Sequence, residues 1–230
     1  MRIEITEFVE GAKKAEGLTV IIDVFRAFSV ECYAFDAGAS QIIASSEVEN
    51  ALKLKQVYLN SVLVGERDEK KIPGFDLGNS PTEILKADLQ GKTIIHTTTA
   101  GTQGLINAEN AETVITGSFV NAGAVVRYIK QLNPSVVFLV AMGYRASVTA
   151  DEDILCAELI KERLIGKSSI SEKDITALQF SSGKRFFRKE NIDFSPPTDF
   201  FLCTMTDRFS FVLKALKRPD GNVSMIRTDI

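Results

Sequence analysis

Short apolar runs rich in β-branched residues recur along the chain up to about residue 165. Between them lie longer stretches in which apolar positions return every three to four residues. The first kind of segment reads as a buried strand and the second as a helix with one packed face. Strands are expected at residues 18–24, 41–44, 61–65, 92–97, 112–116 and 136–141. Helices are expected at 28–37, 47–60, 81–87, 102–108, 119–132 and 151–165. Within 119–132, Phe119, Gly123, Val126 and Ile129 fall on one face at helical spacing. This alternation predicts an α/β fold, a layered parallel or mixed sheet flanked by helices.

The pattern changes after Gly166. Helical patches, a Pro196-Pro197 break and a charged stretch from Gly183 to Glu190 are compatible with a helical cap or a smaller C-terminal lobe from about residue 166. No linker sets that region apart, so one domain over residues 1–230 is the expectation. Pro219-Asp220-Gly221-Asn222 is a turn signal, and residues 223–227 after it read as a final strand. There are no internal repeats.

Composition narrows the partners. Hydrophobic residues make up 45% of the 230, enough for a sizeable core. Lys and Arg number 27 against 30 Asp and Glu, for a net charge of -3. That balance argues against nucleic acid, whose phosphates call for a basic face, but a small anion needs only a local basic pocket. Cys32, Cys156 and Cys203 are too few and too widely spaced for a disulfide framework or a CxxC metal motif, and read as buried or half-buried thiols in a reducing compartment. The start carries acids without an apolar run of signal length, and no stretch approaches the roughly 18 apolar residues of a membrane span. A soluble cytoplasmic protein is expected.

Three expected strand-to-helix junctions are rich in Gly, Ser and Thr: Asp23-Val24-Phe25-Arg26-Ala27-Phe28-Ser29, Thr97-Thr98-Thr99-Ala100-Gly101-Thr102 and Gly117-Ser118-Phe119-Val120-Asn121-Ala122-Gly123. Any one junction reads first as an ordinary N-cap, but free backbone N–H groups at helix starts bind anions, and three such junctions together, one carrying Arg26, point to an anion site. The segment from Gly65 to Pro81 is a long loop whose Glu66, Asp68 and Asp76 offer hard oxygen ligands suited to Mg²⁺; a solvated charged loop is the plain alternative. Asp151-Glu152-Asp153 opens a helical run, where acids favour the helix dipole and could also hold a metal. Asp23 ends a very apolar strand with Arg26 three residues on, as a metal ligand, a nucleophile or the partner of that arginine. His96 is the only histidine, so no zinc cluster or histidine-based triad is available; in an apolar run it reads as a core residue with a satisfied hydrogen bond. Gly166-Lys167-Ser168 mimics the end of a P-loop, but Lys161 stands where its first glycine belongs.

Taken in order, these blocks resemble the 2-phosphosulfolactate phosphatase (ComB) family. The blocks are Ile22-Asp23-Val24-Phe25-Arg26-Ala27, Gly65-Glu66-Arg67, Gly74-Phe75-Asp76-Leu77-Gly78-Asn79-Ser80-Pro81, Thr97 to Thr102, Gly117 to Ala122 and Glu152-Asp153-Ile154-Leu155-Cys156-Ala157. The block from Gly74 to Pro81 is the most specific, and Asp207-Arg208 in the tail resembles the family only weakly. The sequence departs from the family pattern at Ala100, where Asn is common, at Phe25 and Phe28 beside Arg26, over Gly143 to Ala150, and at His96, a position usually aliphatic.

The resemblance implies an α/β fold and Mg²⁺-dependent hydrolysis of the phosphate ester of a sulfonated hydroxy acid. In organisms that make coenzyme M, the family acts in that pathway. Carried onto this chain, it implies Asp23, Arg26 and Asp76 as catalytic groups and Glu66, Glu152 and Asp153 as metal ligands. Substrate contacts fall to Arg67, Asn79, Thr98, Thr99, Gly101, Thr102, Ser118 and Asn121. The expected partner is a small phosphate ester, with no nucleic acid and no membrane, and a homodimer is compatible with the family. The rival readings are a phosphatase of the same fold for another phosphorylated acid and a non-catalytic anion-binding homologue.

Overall fold

The computed structural model describes residues 1–230. Its strands are β1 (Arg2–Glu7), β2 (Gly17–Ile22), β3 (Gln41–Ala44), β4 (Ser61–Arg67), β5 (Lys70–Lys71), β6 (Thr93–Thr97), β7 (Ala111–Gly117), β8 (Val136–Ala141), β9 (Phe211–Lys217) and β10 (Val223–Asp229). The helices are α1 (Phe8–Lys14), α2 (Ala27–Asp36), α3 (Val48–Val57), α4 (Pro81–Ile84), α5 (Gly101–Asn107), α6 (Ala122–Leu132), α7 (Asp151–Leu164), α8 (Glu172–Ala177) and α9 (Pro197–Thr204). The α/β architecture and the strand–helix alternation are as the periodicity predicts. Expected helix 119–132 divides at its start: Ser118 and Asn121 form a capping box around a single 3₁₀ turn, and α6 begins at Ala122.

All ten strands belong to one mixed sheet in the order β1-β8-β2-β7-β9-β10-β3-β6-β4-β5. Strands β1, β8, β2 and β7 are mutually parallel, as are β3, β6 and β4. The hairpin β9–β10 joins these blocks by antiparallel pairing to β7 and β3. Three antiparallel steps separate β7 from β3, so in a flat sheet the carboxyl ends of the two blocks would lie on opposite edges. They line one cleft instead, which requires the sheet to twist and curl. The joints allow this: the hairpin pairs with itself over seven positions, but with β7 over only two and with β3 over only three.

Helix α2 lies inside that curl. Every residue from Ala27 to Phe35 is buried, the signature of a helix surrounded by protein on all sides. Around it, one cluster of 30 buried residues gathers Phe28 and Tyr33 with Ile21 and Val140 of one block and Ile42 and Ile94 of the other. The opposite face of β2 and β8, through Val20, Ile22, Val137 and Leu139, packs on α6 and α7 in a second cluster of 23. Side chains alternate across a strand, so burial on both faces explains the unbroken apolar runs.

The final strand expected at 223–227 is β10, and three strands extend the expected set: β1, β5 and β9. Arg2–Glu7 is the edge strand β1, with Ile3 and Ile5 turned to the second cluster. Phe211–Lys217 and Val223–Asp229 form the central hairpin. Between α7 and that hairpin, short helical turns from Glu172 to Thr204 carry Phe186 and Phe200 onto Phe25, with ring centroids 5.0 and 5.7 Å away. The three cysteines are buried and unpaired, and no helix is long and apolar enough to cross a membrane.

Candidate active site

Four strands of the two parallel blocks, β2, β4, β6 and β8, deliver residues to the cleft at their carboxyl ends. Asp23 comes just after β2, Thr98 and Thr99 after β6, and Gly143 after β8, while Glu66 sits within the last two residues of β4. Glu152 and Asp153 are in the first turn of α7. With Arg26, Asn79, Arg145 and Arg185, these residues line an open cleft of about 540 Å³.

Four carboxylates are buried here: Asp23, Glu66, Glu152 and Asp153. Asp153 is held by backbone donors, taking the Val24 N–H on Oδ1 and the Gly143 N–H on Oδ2, both at 2.8 Å. It thereby ties the loop after β2 to the loop after β8. Glu66 accepts from the Thr99 N–H at 2.8 Å and the Thr99 hydroxyl at 2.7 Å on Oε1, and from the Glu69 N–H at 2.8 Å on Oε2. Asp23 takes the Ala27 N–H on Oδ1 at 3.2 Å. The start of α5 abuts Asp23 so closely that a Cβ at Gly101 would stand 2.9 Å from its Oδ2, so glycine is required there. Glu152 is different. Its Oε1 is 3.9 Å from Arg185 Nη2, and its buried Oε2 accepts no short hydrogen bond; the nearby Ser182 hydroxyl, likewise without a close partner, eases its charge only from a distance.

Loss of water and mutual repulsion disfavour charge on this cluster. Burial pushes Asp23 up to about 6, opposed by the Ala27 N–H and reinforced by Glu66 and Glu152. Burial also raises Glu152, with Arg185 opposing, and raises Asp153 well above the carboxylate range, with Glu152 and Asp23 adding to the effect. No three of these side chains form a closed metal cage. They nevertheless fit a hard cation that uses one or two carboxylates and completes its shell with water and phosphate oxygens, as Mg²⁺ does. The donors are all oxygen, the cluster is short of positive charge, and one Glu152 oxygen is unpartnered.

The basic side of the cleft is Arg26 and Arg185. Arg26 Nη1 donates to Asp199 Oδ2 and to the Phe194 carbonyl, both at 2.7 Å, and Nη2 donates to the Glu69 carbonyl at 3.1 Å. Arg185 donates to Glu69 Oε1 at 3.1 Å and to the Phe25 carbonyl at 3.0 Å, with Tyr144 5.7 Å away at its ring centroid. Arg145 pairs with Asp68 at the rim.

The structure brings together Asp23, Arg26, Glu66, Asp68, Asn79, Thr98, Thr99, Glu152 and Asp153 of the residues singled out in the sequence. Gly101 backs the cleft against Asp23, and Thr102 is tied to Thr98, its hydroxyl donating to the Thr98 carbonyl at 2.8 Å. The others lie apart. Asp76 takes the Leu63 N–H at 2.8 Å and Lys55 Nζ at 3.0 Å on Oδ2. Leu63 is three residues before Glu66 along β4, so Asp76 stands about 10 Å from the acid cluster at the strand rise. Arg67 donates to the carbonyls of Ser46 and Glu66. Ser118 and Asn121 cap each other, and the Ser118 hydroxyl meets that of Ser29 at 2.6 Å. Arg185, Glu69 and Asp199 complete the site without having been singled out. Their sequence neighbourhoods, a charged stretch and a Pro-Pro-Thr-Asp helix start, carry no signal that points across the fold.

Residues 3–193 match the family model described as 2-phosphosulpholactate phosphatase. A protein of Caldanaerobacter subterraneus named a probable 2-phosphosulfolactate phosphatase is 36% identical over 211 residues, 85% of this chain and 86% of its own. One of the same name from Bacillus subtilis is 33% identical over 213 residues, 91% of this chain and 90% of its own. Another from Carboxydothermus hydrogenoformans is 44% identical over 140 residues, 60% of this chain and 58% of its own.

Proposed function

This chain belongs to the 2-phosphosulfolactate phosphatase family, a family of phosphoric monoester hydrolases, and from that premise we propose that it hydrolyses 2-phosphosulfolactate to sulfolactate and phosphate with Mg²⁺ as cofactor. The observation that carries the reading is the cleft itself, where four buried acids face Arg26 and Arg185 and one oxygen of Glu152 is without a partner. Buried acids repel an anionic ester unless a cation stands between them, and a guanidinium fork suits phosphate and sulfonate oxygens.

Glu152 is the group that would hold Mg²⁺, with lone pairs of Glu66 and Asp153 beside it. Bound there, the metal would neutralise charge on the phosphoryl oxygens. The chain's own residues do the rest. The two N–H groups of Arg26 without an intramolecular acceptor, and the guanidinium of Arg185, bind and orient the anion. Asp23, pushed up to about 6, is suited to exchange a proton near neutral pH. Water adds to phosphorus, the bond from phosphorus to the ester oxygen breaks, and that oxygen leaves with a proton. Three unpaired thiols fit a cytoplasmic setting.

Phosphate release from a panel of phosphorylated acids, with chelator and then with added Mg²⁺, tests the reading. The expected result is release from 2-phosphosulfolactate that disappears on chelation and returns with Mg²⁺. Full turnover after chelation would overturn the metal's role. Turnover of other phosphorylated acids but not of 2-phosphosulfolactate would overturn the substrate.

A further inference from the structure

We propose that Asp199, on α9, is a positioning residue that fixes the Arg26 guanidinium for anion binding, so that the C-terminal segment completes a site otherwise built from earlier blocks. The inference rests on the reading of Arg26 as an anion-binding group. Asp199 lies beyond the residues 3–193 that match the family model, and it is fully buried. Its Oδ2 takes Arg26 Nη1 at 2.7 Å. Its Oδ1 takes the Ser80 hydroxyl at 2.8 Å and the Thr82 N–H at 3.0 Å. One carboxylate therefore links the residue after the β2 turn to the start of α4, immediately beside Asn79, which lines the cleft. The next residue, Phe200, packs on Phe25 at 5.7 Å and on Phe186 at 6.2 Å, so α9 is anchored where the carboxylate acts.

Asp199 cancels the charge of Arg26, so what it supplies is orientation. Together with the Phe194 and Glu69 carbonyls it occupies three of the five guanidinium N–H groups. The remaining two then keep fixed directions, and Arg26 is among the residues that line the cleft. A guanidinium without that clamp would sample several rotamers, and an anion would have to order it on binding.

A double-mutant cycle on the affinity for inorganic phosphate separates this role from a merely structural one. Calorimetric titration with phosphate in Mg²⁺ buffer is made on the wild type, Asp199→Asn, Arg26→Lys and the double variant, with thermal midpoints alongside. Each single change is expected to weaken phosphate about tenfold, and the double variant is expected to bind within about twofold of Arg26→Lys alone. Additive losses, unchanged affinity in Asp199→Asn, or no phosphate binding by the wild type would each overturn the proposal. Should Asp199→Asn not fold, Asp199→Glu replaces it. This change keeps the charge and displaces the carboxylate by one methylene, so weaker phosphate binding in the wild-type background and none of that effect in Arg26→Lys is expected; wild-type affinity would overturn the proposal. Turnover of 2-phosphosulfolactate by the same wild-type protein separates the two readings. Its absence alongside a coupled cycle removes the substrate and leaves Asp199 in place.

Discussion

Asp23 is a carboxylate in a place that resists its charge. Between its ordinary value of 3.8 and about 6, the folded chain binds a proton at this group that the unfolded chain has released. Stability from Asp23 is therefore present below that window and lost as pH rises through it, by about 3 kcal/mol for a shift of this size. In chelated protein, the unfolding free energy of wild type relative to Asp23→Asn should fall by that order between pH 4 and pH 7. Asp23→Asn should also melt higher than wild type at pH 7 without metal, yet turn over at least a hundredfold more slowly. Denaturant titrations at the two pH values, with phosphate release on the same samples, check both halves; a pH-independent difference would mean the carboxylate is not strained. His96 shows what is legible at this scale. Its core placement follows from the apolar run around it, but its partners Glu31 and Asn79, at 2.9 and 3.1 Å, are 65 and 17 residues away and follow only from the fold.

At the scale of elements, strand ends are readable and the loops that follow them are less so. Asp76 illustrates the difference. It stands in the most distinctive block of the sequence, yet its carboxylate is used to pin the loop to the beginning of β4. Partial burial pushes Asp76 up, but the Leu63 N–H and Lys55 outweigh it and hold the group below the ordinary carboxylate range. Asn keeps an acceptor for Leu63 and loses only the charge facing Lys55. Asp76→Asn should therefore retain activity within about twofold and lose about 0.5–1 kcal/mol of stability, the range of a half-exposed ion pair. A loss of turnover beyond tenfold in a normally stable Asp76→Asn protein would return this residue to the site. The reason the two acids part is geometric. Ten residues separate Glu66 from Asp76, but the chain turns back along β4, so two acids of one loop end at opposite ends of one strand. Ser118 and Asn121 follow the same logic, since their capping box satisfies each other's polar groups and leaves them outside the cleft.

At the scale of the whole molecule, the strand–helix alternation anticipates the two parallel blocks but not the piece that joins them. Phe211–Lys217 carries lysines among its apolar residues, so its run reads weakly in either period, and nothing local says that a C-terminal hairpin inserts between β7 and β3. That insertion has a consequence for folding. The hairpin places Phe211, Leu213, Val223 and Met225 in the cluster around α2, and Val212 in the cluster on the other face. Without it, β7 and β3 become open edges and both clusters lose fully buried side chains, so neither block keeps a closed core. A chain ending at residue 208 is therefore expected to lack a cooperative unfolding transition and to aggregate, although it retains every acid of the cleft, Arg26, Arg185 and Asp199. The full chain should unfold in one transition, with amides of β2 and β6 exchanging by the same global opening. Leu213→Ala, at a fully buried position, offers a milder version: the transition should stay single and shift by about 2–5 kcal/mol. Far-UV circular dichroism on heating and hydrogen exchange on the intact protein are the measurements. A 1–208 chain that melts cooperatively and stays soluble would show that the two parallel blocks do not depend on the hairpin between them.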